Sequence, residues 1–217
     1  YVVNVYDCPF LHYNKIKNVE GDTLNNLADL LAELGLENNI ALEDIPEIDL
    51  YMDQVIQLFE KNFGSSTRNE DEKVLTKTMI NNYAKGKLFF PIKNKKYSKE
   101  HLILISLIYQ LKGGLSIQDI KQTLEGINEK TETGEIPLGQ FYQSFLNLHE
   151  KNIEIFNEDV LKTEQEVKRE VERLESDEPK ELETILLIAS LINISNFYRR
   201  TAEKLVDRLA EEKKKKD

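Results

Sequence analysis

The segment HLILISLIYQLK, residues 101–112, is apolar on nearly every face of a helix, so it has to be surrounded by other elements. Ser98 stands before it as an N-cap, Glu100 falls in its first turn, and Gly113 and Gly114 end it. A chain that folds around such a rod needs several neighbours with apolar stripes. At 217 residues and 40% hydrophobic content the chain can bury one substantial core or two modest ones. Nine glycines and five prolines are few for this length, and Leu, Ile, Glu and Lys dominate, so the neighbours are expected to be helices as well.

Helical stripes occur on both sides. LNNLADLLAEL at 24–34 aligns Leu24, Leu27, Leu30, Leu31 and Leu34 before the stop signal of Gly35. DLYMDQVIQLFEKNF at 49–63 begins with Asp49 as a capping residue and repeats Tyr51, Val55, Ile56, Phe59 and Phe63. Residues 64–71 are polar and loop-like. Thr76 can cap a short helix that turns Met79, Tyr83 and Leu88 inward and Lys77, Asn81, Asn82 and Lys85 outward. In FFPIKNKKY, Pro91 breaks that helix and an Asn-Lys turn suits a tight loop between two short strands, with Phe89 and Phe90 packed beneath. Ser116 and Asp119 form a capping box for the helix beginning near Ile117.

Beyond Gly126 a polar stretch with Gly134 and Pro137 reads as a linker. Residues 140–175 can then make one long helix with a seam of Phe141, Phe145, Leu148, Phe156, Val160, Val167, Val171 and Leu174. SDEP at 176–179 turns the chain into a second helix from about Lys180 to Ala210, followed by a solvated tail, EEKKKKD.

Charge is distributed unevenly. The formal net charge is -10, yet residues 73–99 hold eight lysines and no Asp or Glu, which leaves -18 for the remainder. Mixed charges serve solubility better than this segregation does. A surface that faces phosphates requires it.

The residues around these lysines carry a family likeness. TMINNYAKGKL, Pro91, KKYSKEHL and GLSIQDIKQTL resemble, in order and spacing, the MerR-type winged helix-turn-helix. IPEIDLYMDQV ahead of LTKTMINNY and KKYSKEHLILI is similar to an uncharacterised bacterial family, domain of unknown function 1836, over residues 46–125. The resemblance implies a DNA-binding transcriptional regulator that dimerises through C-terminal helices. The fold so expected is mainly α: a MerR-like winged helix-turn-helix core with a short two-stranded wing, then long C-terminal helices forming a dimerisation hairpin. Its parts would be an N-terminal helical arm at 1–45, the DNA-binding domain at 46–126, a linker at 127–138 and a dimerisation or effector region at 139–217.

The partner expected is double-stranded DNA. The contact set is Lys77, Thr78, Asn81, Asn82, Lys85, Lys87, Lys93, Asn94, Lys95, Lys96 and Tyr97, the tyrosine standing at the core edge with its hydroxyl outward. Lysines would hold phosphates and position the module, and asparagine can pair with adenine N6 and N7. Where the MerR pattern places Arg-Tyr-Tyr this chain has Ile80, Asn81 and Asn82, so bidentate reading of guanine by arginine is not available there. The acidic residue at the end of the family's wing is His101 here, and no cysteine constellation for a metal-sensing domain follows.

Other classes find little in the residues. There is no G-x-S-x-G, phosphate loop, H-E-x-x-H or dinucleotide-binding glycine pattern, so an enzyme is not expected and neither is a cofactor. His12, His101, His149 and the single cysteine, Cys8, lie far apart in sequence, so no metal site is expected. One cysteine fits a reducing compartment, no basic region precedes a long apolar core at the start, and the longest apolar run, ILLIASLINI at 185–194, is half of the roughly 20 residues that span a bilayer. The expectation is a cytoplasmic protein. Its alternative function is a helical interaction module that keeps the fold without binding DNA and docks a protein partner through residues 182–209.

Overall fold

A computed structural model describes residues 27–69 and 71–215. Leu24, Cys8 and His12 lie outside the described residues. Seven α-helices and two very short strands are described: α1 (Leu27–Glu33), β1 (Leu50–Tyr51), α2 (Met52–Phe63) running into a 3-10 turn (Gly64–Ser66), α3 (Lys77–Lys85), β2 (Lys96–Tyr97), α4 (Lys99–Leu111), α5 (Ile117–Glu132), α6 (Leu138–Glu172) and α7 (Pro179–Lys214). No described helix is long and apolar enough to cross a membrane.

The all-round apolar segment becomes α4, and every residue from His101 to Ile108 is buried. Around it lie Val55, Phe59 and Phe63 of α2, Ile80 and Tyr83 of α3, Ile120 and Leu124 of α5, and Leu138, Tyr142 and Leu146 of α6. A second, smaller cluster joins Leu27 and Leu31 of α1 to Val160, Val167 and Val171 of α6 and Leu187 of α7. α6 therefore belongs to both. It also pins the chain between α1 and β1: Tyr142 donates its hydroxyl proton to the Ile40 carbonyl at 2.8 Å, and His149 Nε2 lies 2.7 Å from the Leu36 carbonyl.

Several expectations change here. Asp49 does not cap α2. The helix starts after Tyr51, whose backbone N–H donates to the Gln54 side chain at 2.9 Å, because Leu50 and Tyr51 are drawn into an antiparallel pair with Tyr97 and Lys96. The two strands expected side by side within residues 91–97 are thus one strand there and one ahead of α2, and the local hairpin is a single bridge between Lys93 and Lys96. The expected linker at 127–138 is helical as far as Glu132. Ile127 packs against the main core and Asn128 donates to the Leu88 carbonyl at 2.7 Å, which holds the helix together past Gly126.

The stripe of α1 is only half covered, since Leu30 and Leu34 are exposed. On α6 the seam is shifted by one position in the first half: Tyr142 and Leu146 are buried while Phe141 and Leu148 face solvent. Leu174, expected in the seam, is exposed as well. The C-terminal tail is helical to Lys214, and Lys213 forms a 2.9 Å ion pair with Glu125 of α5.

Candidate nucleic-acid interface

α3 is built as its sequence suggests. Thr76 Oγ1 accepts from the Met79 backbone N–H at 3.1 Å, Ile80 and Tyr83 are buried, and Lys77, Thr78, Asn81, Asn82 and Lys85 are exposed. At its end the Leu88 N–H donates to the Tyr83 carbonyl at 3.0 Å while Lys87 takes a left-handed φ of 57°. Gly86 gives this reversal room, since a Cβ would come within 2.7 Å of Leu88 Cδ1 and 3.1 Å of the Asn82 carbonyl and Leu88 would have to shift. Leu88 is fully buried, so the exit from α3 is anchored in the core.

The second part of the surface is the turn at 93–96. Asn94 and Lys95 have φ of 52° and 59°, as the central residues of a type I′ hairpin turn do, and the Lys96 N–H donates to the Lys93 carbonyl at 2.9 Å. Asparagine tolerates this conformation. Lysine pays for it in backbone strain. Lys93, Asn94 and Lys95 are exposed, and Lys96 is half-buried with its ammonium 5.1 Å from the centroid of the Tyr51 ring.

Tyr97 is a correction to the contact set. It is 1% exposed and meets Phe89 and His101 edge-on, with ring centroids 6.2 and 6.0 Å away, so it supports the turn from within. Burial pushes its phenol pKa up. Ile80, which aligns with the arginine of the MerR pattern in the resemblance given above, is likewise wholly buried.

The stretch that is free of acid in sequence is not free of acid in space. Lys77 Nζ is 2.7 Å from Asp53 Oδ1 on α2, and Lys99 pairs with Glu47 before β1. Among the described residues, Lys73, Lys85, Lys87, Lys93 and Lys95 have no acidic partner in contact. The first turn of α2 is where the two parts of the surface meet, since Tyr51 lies under Lys96 and Asp53 holds Lys77. The sequence places Tyr51 on the apolar stripe of α2 and gives no sign of Asp53; in the fold Tyr51 is 55% exposed instead, because it pairs with Lys96 ahead of the helix.

His101 closes the base of the turn. Its ring is 4% exposed, its Nδ1 accepts from the Ser98 backbone N–H at 3.2 Å, and its Nε2 lies 3.2 Å from the Phe90 carbonyl. Nδ1 must then carry the lone pair and Nε2 the proton, which is the neutral ring. Burial lowers its pKa from 6.5, against the opposing pull of the Phe90 carbonyl, Glu100 and Asp49. Phe89 and Phe90 stand 5.7 and 4.0 Å from it, centroid to centroid.

The arrangement presents amide side chains on one helix and unpaired ammonium groups on that helix and an adjoining turn. Such groups can hydrogen-bond base edges and neutralise phosphates.

Residues 40–145 match the model of a family described as Domain of unknown function (DUF1836). The match bears out the resemblance to that uncharacterised family and reaches further than the motifs alone, from the buried Ile40 to Phe145 on α6, so that the whole lysine surface lies inside it. None of the curated proteins and none of the solved structures gives a match.

Proposed function

We propose that the chain is a sequence-specific, double-stranded-DNA-binding transcriptional regulator of MerR-like winged helix-turn-helix architecture, acting in the cytoplasm. In this reading α3 enters the major groove, where Asn81 and Asn82 meet base edges, and the 93–96 turn grips flanking phosphates as a minimal wing. The observation that carries it is the set of exposed residues Asn81, Asn82, Lys85, Lys87, Lys93, Asn94 and Lys95, unpaired by acid, in a chain of net charge -10. The acidic remainder keeps other surfaces off nucleic acid.

The reading includes a homodimer through the C-terminal helices. Residues 184–198 of α7 contain no charged side chain, yet Ile185, Leu186, Ile188, Ile192, Phe197 and Tyr198 are exposed. Glu181 and Glu183 flank that face on one side and Arg199 and Arg200 on the other. Antiparallel pairing of two α7 helices about Leu191 sets each acidic end against the partner's basic end, and two α3 helices then address a roughly palindromic site.

Selection of bound sequences from a randomised duplex pool, followed by salt titration of the winners, tests the reading. An enriched palindrome with a log-log salt slope near -0.9 per phosphate contact is expected, and no retention at low salt overturns it. Replacing Lys95 and Lys96 with Ala should weaken binding to every sequence and flatten the slope, while Asn81→Ala should change the sequence preferred. The same apolar face of α7 also favours a second reading, in which the chain is an interaction module that docks another protein there. A stable dimer in a mass measurement favours the regulator, and a monomer the module.

A further inference from the structure

The lysine turn leaves the core at Phe89 and Phe90 and returns at Tyr97 and Ser98, and one side chain touches all four. His101 is packed against the rings of Phe89, Phe90 and Tyr97, faces the Phe90 carbonyl through Nε2 and receives the Ser98 N–H on Nδ1. It clasps both stems of the turn, and only its neutral form makes both hydrogen bonds. We propose that His101 is a positioning residue that makes the lysine turn pH-responsive, its protonation releasing the Ser98 stem and with it the geometry that presents Lys93 and Lys95. The effect on DNA rests on the proposed function; the effect on the turn does not.

The chemistry is a single proton exchange with solvent. When Nδ1 takes a proton it loses the lone pair that accepts from Ser98 N–H, and two N–H groups then face each other. Ser98 Oγ, 2.9 Å from Nδ1 and donating to Glu100 Oε2 at 2.7 Å, can accept from the charged ring while the Ser98 backbone N–H is left without its acceptor. The charged and titratable groups facing the ring are Glu100 from α4 and Asp49 from ahead of β1, both favouring the proton, and Tyr97 from β2, whose raised pKa keeps it neutral. Burial outweighs them. A folded pKa below 6.5 means the unfolded chain binds the proton first, so the clasp is complete above 6.5 and is lost as pH falls below it.

A capping box accepts Gln or Glu at the third helical position, which His101 occupies, so His101→Gln keeps an acceptor for Ser98 N–H and removes the titration. The test is NMR of the DNA-free protein from about pH 7.5 to about pH 5, following the His101 ring nitrogens and the exchange of the Ser98 and Lys96 amides. The expected result is a Nε2–H ring at the upper end, titration below 6.5, and protection at both amides falling about tenfold in step, with no such step in His101→Gln. Unchanged amides across the titration, a ring that stays neutral throughout, or the same step in His101→Gln overturns the proposal.

Duplex DNA separates the two readings. A proton added beneath an intact turn would strengthen phosphate binding, whereas release of the turn weakens it. Affinity that falls with pH in the wild type and not in His101→Gln supports the clasp, and affinity that rises overturns it. A turn that responds in a protein that binds no duplex at any pH leaves the clasp standing and sinks the DNA reading.

Discussion

Lys77 Nζ lies 2.7 Å from Asp53 Oδ1, which joins the first turn of α3 to the first turn of α2. Both side chains are exposed, and pairs of that kind contribute little to folding. The consequence is electrostatic: a carboxylate stands at the edge of the surface proposed to meet phosphates. Asp53→Asn should therefore change stability by no more than about 0.5 kcal/mol in urea unfolding. It should steepen the salt slope of duplex binding by up to about 0.9, since Lys77 becomes free to neutralise a phosphate.

Lys95 has a φ of 59° at the second central position of its turn, where glycine is the unstrained residue. In Lys95→Gly the relief of left-handed strain outweighs the greater freedom of glycine in the unfolded chain, and a gain of about 0.5–1 kcal/mol is expected in thermal unfolding. DNA affinity should fall at the same time. Stability and binding moving in opposite directions is the mark of a residue kept for what it touches, and a parallel change would count against the turn's role.

Gly126 lies inside α5, and a Cβ there would meet nothing within 4 Å. Gly126→Ala should stabilise the protein by about 1 kcal/mol, read as a higher denaturant midpoint with unchanged slope. A loss of stability would mean that residues 127–132 are not helical.

The Tyr142 hydroxyl donates to the Ile40 carbonyl from the other end of the family segment, inside the core. Tyr142→Phe leaves that carbonyl without its partner, and a loss of about 1–3 kcal/mol follows from desolvating it. The measurement is the urea midpoint, with circular dichroism to show that α6 persists.

What the sequence made legible and what it did not divides by distance along the chain. The Thr76 cap and the Ser116–Asp119 box depend on atoms three residues apart, and both stand as read. Asp49 failed as a cap because Leu50 and Tyr51 pair with residues 96 and 97, a contact no local pattern announces. The polar stretch beyond Gly126 reads as a linker, but the core contact of Ile127 and the bond from Asn128 to Leu88 offset the cost of the glycine and carry the helix on to Glu132.

The seam of α6 was read as one stripe, whereas its first half packs on α4 and its second on α1 and α7, so Phe141 and Leu148 fall outside the buried face. For the candidate surface, exposure of Asn81, Asn82 and the lysines of α3 followed from helical spacing. The partners Asp53 and Glu47 come from 24 and 52 residues upstream, and the burial of Tyr97 depends on the placement of His101.

α6 is set in two cores at once, through Tyr142 and Leu146 at one end and Val160, Val167 and Val171 at the other. From Tyr142 to Val160 is 18 residues, roughly 27 Å of continuous helix. The core beneath the lysine segment and the cluster of the far helices are therefore built on one continuous rod, which Tyr142 ties to Ile40 at its near end.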